Sequence, residues 1–253
     1  MTFTELQLKI QNAKDLDFGD IFNRSIELFK KVWVQGLVMT ILTMALMIPF
    51  YIIMYLPLIA MGLFDPQALE SGEPNFALMI PFYLMMLVFS FFAMVIGFAL
   101  KAAFLRICKM KDLDEVGKED YFYFLKKPYL GKVFSLSLIS FGISLAATLL
   151  CVLPLFYVMV PITLMNVIFA FNPHLSPSEI TKAAFNLGNK KWLITFGLIL
   201  VSGMLAQVVG ILMCFIGVLV TASFTVLPLY YIYKDSVGLD EKEIDRIGEG
   251  QQF

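Results

Sequence analysis

One histidine and three cysteines in 253 residues leave little material for metal or redox chemistry. A zinc or iron site needs several convergent ligands, so no metal or other cofactor is expected. Charge is scarce as well. Asp, Glu, Lys and Arg make up 15% of the chain, against roughly 25% in a soluble domain. That excludes a soluble globular protein, and with it a surface for nucleic acid. No nucleophile–base pair and no phosphate-cradling glycine loop can be picked out, so the chain is not expected to be an enzyme. The first 33 residues contain no apolar run of the kind a secretory signal requires, and 1–13 reads as loosely structured.

What the chain does have is apolar length. Hydrophobic residues make up 59% of it and the mean hydropathy is +0.81. A crossing needs about 20 apolar residues. The runs at 133–171 and 193–233 are therefore two crossings each, and 34–64 and 76–104 are one each, the first interrupted by Pro49 and Pro57. The expected fold class is all-α: a polytopic membrane protein with six transmembrane helices, at about 34–64, 76–104, 133–152, 154–171, 193–212 and 214–233. These form a single membrane domain over 17–233, between an N-terminal segment 1–16 and a charged tail 234–253.

The charges test this count. All 19 Lys and Arg fall before residue 33, in 101–132, in 172–192 or in the tail, while the loop 65–75 carries Asp65, Glu70 and Glu73 and no base. Six crossings put the four basic segments on one side. The positive-inside rule makes that side cytoplasmic, with both termini on it.

Three crossings are preceded by stretches suited to a membrane–water interface. In 17–33, Phe18, Ile21, Phe22, Ser25, Ile26, Phe29 and Trp33 share a helical face opposite Asp20, Arg24, Glu27, Lys30 and Lys31. Lys126, Lys127 and Tyr129 precede the third span. Ser176 to Trp192 reads as a capped helix: Ser176 as cap, Pro177 at the first position, Glu179 closing a capping box, and Ile180, Ala183, Ala184 and Leu187 on one face. Aligning Trp33 with Trp192 also pairs Ile21 with Ile180, Leu28 with Leu187 and Lys31 with Lys190, four identities in 15 positions. The pattern is consistent with three parallel repeats of interfacial helix plus hairpin. Lys30, Lys31, Trp33, Lys126, Lys127, Tyr129, Lys190, Lys191 and Trp192 are the candidate contacts to lipid headgroups or to a partner.

Within the apolar runs no ionisable group falls mid-span, and Lys101 and Arg106 read as snorkelling from the basic end. Asn166, Gln207 and Thr163 form a candidate intramembrane polar site, since Pro161 frees a carbonyl that such side chains could fill. Their alternative role is interhelical hydrogen bonding. Ser140, Ser144 and Thr148, Ala206 with Gly210, and Gly217 with Thr221 and Thr225 make small-residue packing faces. Met47, Met54 and Met61 recur every seven residues and read as soft packing. Cys151 and Cys214 lie near the acidic side, where a bridge is conceivable, while Cys108 should stay reduced. His174 reads as a loop residue.

Three stretches together carry a resemblance. They are Phe18-Gly19-Asp20-Ile21-Phe22-Asn23-Arg24-Ser25, Lys182-Ala183-Ala184-Phe185-Asn186-Leu187 ahead of Lys190-Lys191-Trp192, and Cys214-Phe215-Ile216-Gly217 with Pro228-Leu229-Tyr230-Tyr231-Ile232-Tyr233-Lys234-Asp235. Over nearly its whole length the chain resembles a broad group of bacterial six-span membrane proteins of uncharacterised role. That group includes the membrane domain fused to glycerophosphodiester phosphodiesterases. The resemblance implies a bacterial inner membrane and contributes no catalytic residue. The expected function is a non-enzymatic scaffold or accessory subunit that binds anionic lipid, a membrane-protein partner or a second copy of itself. The alternative is a transporter or channel for a small neutral or amphipathic molecule.

Overall fold

The structure, a computed structural model, describes residues 1–60, 76–150, 152–213 and 216–239. In chain order it contains α1 (Phe3–Gln11), α2 (Phe18–Ala60), α3 (Phe76–Asp112), a 3-10 turn (Tyr123–Leu125), α4 (Lys127–Leu149), α5 (Leu153–Phe171), α6 (Pro177–Lys190), α7 (Trp192–Leu212), α8 (Ile216–Thr221), a second 3-10 turn (Ala222–Val226) and α9 (Leu227–Val237). The described residues are all-helical, as expected. Five stretches of helix are long and apolar enough to cross a membrane: Phe18–Tyr55, Phe82–Asp112, Lys127–Leu149, Leu153–Phe171 and Trp192–Leu212.

The close-packed core lies toward the basic end. On the first half of α2 the buried positions are Ile21, Ser25, Leu28, Val32, Gly36 and Met39, spaced by three or four residues along one face. Phe22 and Phe29 set their rings edge-on to Phe224 of the second 3-10 turn. Further along the helix Ile41, Met44, Ile48 and Ile52 are exposed. On α3 the same change occurs: Ala99, Leu100 and 102–105 are sealed, whereas Tyr83, Leu84, Leu87 and Val88 are open. An apolar, exposed outer half is what lipid contact requires.

Three elements differ from the expectation. First, 3–11 is a helix. Thr2 and Glu5 form a full capping box, and Leu6 and Ile10, four residues apart, are buried. Second, 17–33 is no separate interfacial helix. It continues into the crossing as one helix of 43 residues, about 64 Å long at 1.5 Å per residue, twice the hydrocarbon thickness. Of the three interfacial stretches only 177–190 stands as a helix of its own; Lys126 and Lys127 follow a single 3-10 turn. The alignment that pairs Trp33 with Trp192 sets Val32 against Lys191. Val32 is helical and buried, while Lys191 breaks the chain at φ −116° and ψ 26°.

Third, the stretch expected as a sixth span is discontinuous. Gly210 allows close approach here: a Cβ on it would lie 2.7 Å from Cα of Val218. The Thr221 hydroxyl donates to the Ala206 carbonyl at 2.7 Å, so α8 folds back along α7. Pro228, in the first turn of α9, suits the start of a new helix. That helix runs on to Val237 and stops at Gly238, whose φ of +81° favours glycine.

Candidate functional site

The densest polar constellation joins α2, α3 and α9 at the basic end. Asp112, the last residue of α3, has a side chain only 14% exposed. It accepts hydrogen bonds from the hydroxyls of Tyr230 at 2.7 Å and Tyr231 at 2.8 Å, and it pairs with the Lys234 ammonium. Spacing puts Tyr230, Tyr231 and Lys234 on adjoining positions of α9. Arg24 of α2 pairs with Asp20 at 2.7 Å and with Asp235, and its guanidinium lies 4.6 Å from the centre of the Tyr231 ring. Tyr233 points the other way, stacking on Phe171 and accepting from the Asn172 side-chain amide at 2.6 Å. One short helix thus ties together three others.

A second constellation holds α1 against α6. The Lys190 ammonium donates to the carbonyl of Ile10 at 3.1 Å and to that of Gln11. Lys191 reaches the carbonyl of Lys14 at 2.6 Å and Asp15 at 3.3 Å. Cations at a helix C-terminus satisfy orphan carbonyls and complement the dipole. At the other end of α1, a His174 ring nitrogen lies 2.6 Å from the Met1 carbonyl oxygen. Midway, the Asn186 amide donates to Gln7 at 2.7 Å. At the start of α6 the capping box is formed as expected, with the Ser176 N–H 2.8 Å from the Glu179 carboxylate. The backbone N–H of Ser176 first, then its hydroxyl, hold the Glu179 carboxyl below its ordinary value.

The residues expected at the interface therefore divide. Lys190 caps α1, while Lys191, only 6% exposed, holds Lys14 and Asp15 of the segment that follows it. Lys30 pairs with Glu27 within its own helix at 2.6 Å. Lys31 lies 3.4 Å from Asp114 beyond α3, and Lys126 2.6 Å from Asp120. Burial alone would raise the Asp120 carboxyl, but Lys126 and the Phe122 N–H hold it below the ordinary range. Lys127 and Trp33 are exposed. Tyr129 shares a hydrogen bond of 2.8 Å with Tyr123, and Arg106 lies over the Tyr123 ring at 3.5 Å.

Asn166, Thr163 and Gln207 do not converge. Asn166 is buried and donates to the Phe98 carbonyl at 2.7 Å, an interhelical bond. Thr163 bonds back to Met159 and Val160 of its own helix. Gln207 is exposed on α7. Pro161 has no N–H, so the Tyr157 carbonyl four residues earlier loses its helical donor. The group that meets this carbonyl is the Trp192 indole N–H, at 3.2 Å. Gly188 makes room for the crossing, since a Cβ there would come within 3.2 Å of the Pro161 backbone.

Cys108 is buried and free. Cys151, Cys214 and Met61 lie outside the described residues, so the bridge and the last member of the methionine row do too. Met47 and Met54 are buried.

Asp112 was not singled out by sequence. The signal was nonetheless there: Arg24 and the run 228–235 belong to two of the stretches that carried the resemblance, and they meet in space. The chain matches no family model, no curated protein and no solved structure.

Proposed function

We propose that the protein is a non-enzymatic scaffold or accessory subunit of a bacterial cytoplasmic membrane, with six crossings and both termini in the cytoplasm. In this reading the sixth crossing is the jointed stretch 216–237, and α6 with α1 lies at the cytoplasmic surface. The likeness to six-span bacterial membrane domains points the same way. The observation that carries the proposal is how the charged residues are used. Arg24, Asp112, Lys190 and Lys234 each bind a neighbouring helix or its terminus, Lys191 binds the segment after α1, and they do not converge on a reacting centre. They build a basic face whose exposed cations, Lys127 and the Glu27-paired Lys30, meet anionic headgroups or a partner. Such a cation contributes about 1 kcal/mol near an anionic leaflet.

The test compares the stabilisation of the purified protein by phosphatidylglycerol and by phosphatidylcholine. We expect a higher unfolding midpoint with the anionic lipid, and a smaller gain for the Lys30→Gln, Lys127→Gln double variant. Equal stabilisation by both lipids would overturn the headgroup reading.

A second reading, a transporter for a small neutral or amphipathic molecule, draws on the 3-10 joint at Ala222–Val226 and on Pro161 within α5, because interrupted helices line transport sites. Substrate-dependent flux in liposomes would support it.

A further inference from the structure

Lys101 occupies an unusual position on α3. Phe98, Ala99, Leu100, Ala102, Ala103, Phe104 and Leu105 are between 0 and 7% exposed. At 100° per residue those seven positions point in nearly every direction around the helix. The helix is therefore packed on every side but one at this level. Lys101 is exposed, in the one gap of that ring. The neighbouring position in the gap is Gly97, where an added Cβ would meet nothing within 4 Å.

The Lys101 ammonium makes no ion pair or hydrogen bond among the described residues. Lysines on or just beyond α2, α3 and α6 behave otherwise: Lys31, Lys111, Lys190 and Lys191 all hold oxygen partners. Snorkelling does not account for it. Side chains of a helix lean toward its N-terminus, and α3 runs toward the basic end. Lys101 leans away from that end, about 16 Å along the axis from Asp112.

Above Lys101 the same face of α3 carries Gly97, Met94, Ser90, Leu87 and Tyr83, at spacings of four, three, four, three and four. Gly97 and Met94 are half-buried, and Ser90, Leu87 and Tyr83 are exposed. A mostly apolar strip thus leads from an unpaired cation in the packed half out into the lipid-facing half. A positive charge within a membrane-length apolar helix without a counter-charge is costly. An occupant that supplies a negative head and an apolar tail satisfies both ends of the strip.

We propose that Lys101 is the headgroup anchor of a binding site for an acidic single-chain amphiphile, its carboxylate or phosphate at the ammonium and its chain along Gly97, Met94, Ser90 and Leu87. This deepens the lipid-binding reading above, but with a different cation, so the two can fail separately.

The test uses the full chain, delipidated in detergent and returned to phosphatidylcholine nanodiscs. Oleate, lysophosphatidic acid and the uncharged oleyl alcohol are titrated in turn. We expect both acids to bind, the alcohol to bind at least about tenfold more weakly, and Lys101→Met to lose that preference, a step of about 1.4 kcal/mol. Lys101→Arg should keep the preference. Gly97→Leu should weaken both acids by blocking the strip while the charge remains. In the double variant Lys30→Gln, Lys127→Gln the loss of preference on Lys101→Met should still be seen, which separates this site from the surface cations. The two acids separate a carboxylate source from a phosphate source. Equal affinity for acid and alcohol would overturn the proposal, as would equal acid affinity in wild type and a folded Lys101→Met.

Discussion

Asp112 illustrates how one side chain can organise a membrane protein's end. It receives two phenolic hydrogen bonds and an ammonium, all from α9. Replacing it with Asn removes the charge from bonds that depend on it, and each hydrogen bond to a charged group contributes roughly 1.5–3 kcal/mol. Asp112→Asn should therefore destabilise by about 2 kcal/mol, read as a lower unfolding midpoint in detergent. Tyr230→Phe, which leaves Asp112 two donors, should cost about half as much. Equal costs would mean that the phenol, not the carboxylate, organises the joint.

Glu179 supplies the pH dependence at this scale. Its carboxyl is held below the ordinary 4.5 in the folded chain, so folding favours the ionised form. That contribution is complete above the ordinary value and is lost as pH falls through the depressed one. The gap in unfolding midpoint between wild type and Glu179→Gln should shrink as pH falls below the ordinary 4.5 and through the depressed value. A gap that stays constant over that range would mean that the capping box is not what separates them. Glu179 was legible in the sequence because a cap is a local matter of four residues. Asp112 was not, because its partners lie 118 to 122 residues away.

Among the elements, α1 and α6 make an informative pair. Both open with a capping box, Thr2 with Glu5 and Ser176 with Glu179. The same Ser/Thr-x-x-Glu pattern stands at both starts, and the two helices differ in length, α1 having only 9 residues. A helix that short is marginal alone, and it persists because Leu6 and Ile10 are buried and Lys190 closes its C-terminus. Thr2→Ala should cost about 1 kcal/mol and speed amide exchange across 3–11. Lys190→Met should release the last turn of α1 and Asn12 first. Protection unchanged in 8–12 would show that Lys190 is not its cap.

The α5–α6 crossing has its own test. Gly188→Leu must displace the Pro161 backbone, and overpacking of this kind costs about 1–3 kcal/mol. Its midpoint should fall well below that of Gly142→Leu, where an added Cβ meets nothing within 4 Å.

For the whole molecule the decisive quantity is the number of crossings. If the jointed stretch 216–237 crosses, the two ends share a side. Single cysteines introduced at Gln11 and Leu239, in a background without the native thiols, should both be labelled from the cytoplasmic face of inverted vesicles. Labelling from opposite faces would leave an odd number of crossings.

Composition and charge placement were enough, without coordinates, to establish an all-helical chain with several membrane-length apolar helices. Hydropathy acts locally and survives any arrangement of the spans. The sequence also contained the local signals: the cap at Ser176, the apolar face of α6, the proline at 161. Tertiary structure alone decided that 17–33 continues into α2, that 214–233 is jointed, and that Trp192, not Thr163 or Asn166, meets the carbonyl freed by Pro161. It also decided that Lys190 caps a helix, and that Lys101 stands in the one gap of an otherwise packed turn. Each of these depends on which distant carbonyl, ring or carboxylate comes within about 3 Å, and no local window of residues contains that distance.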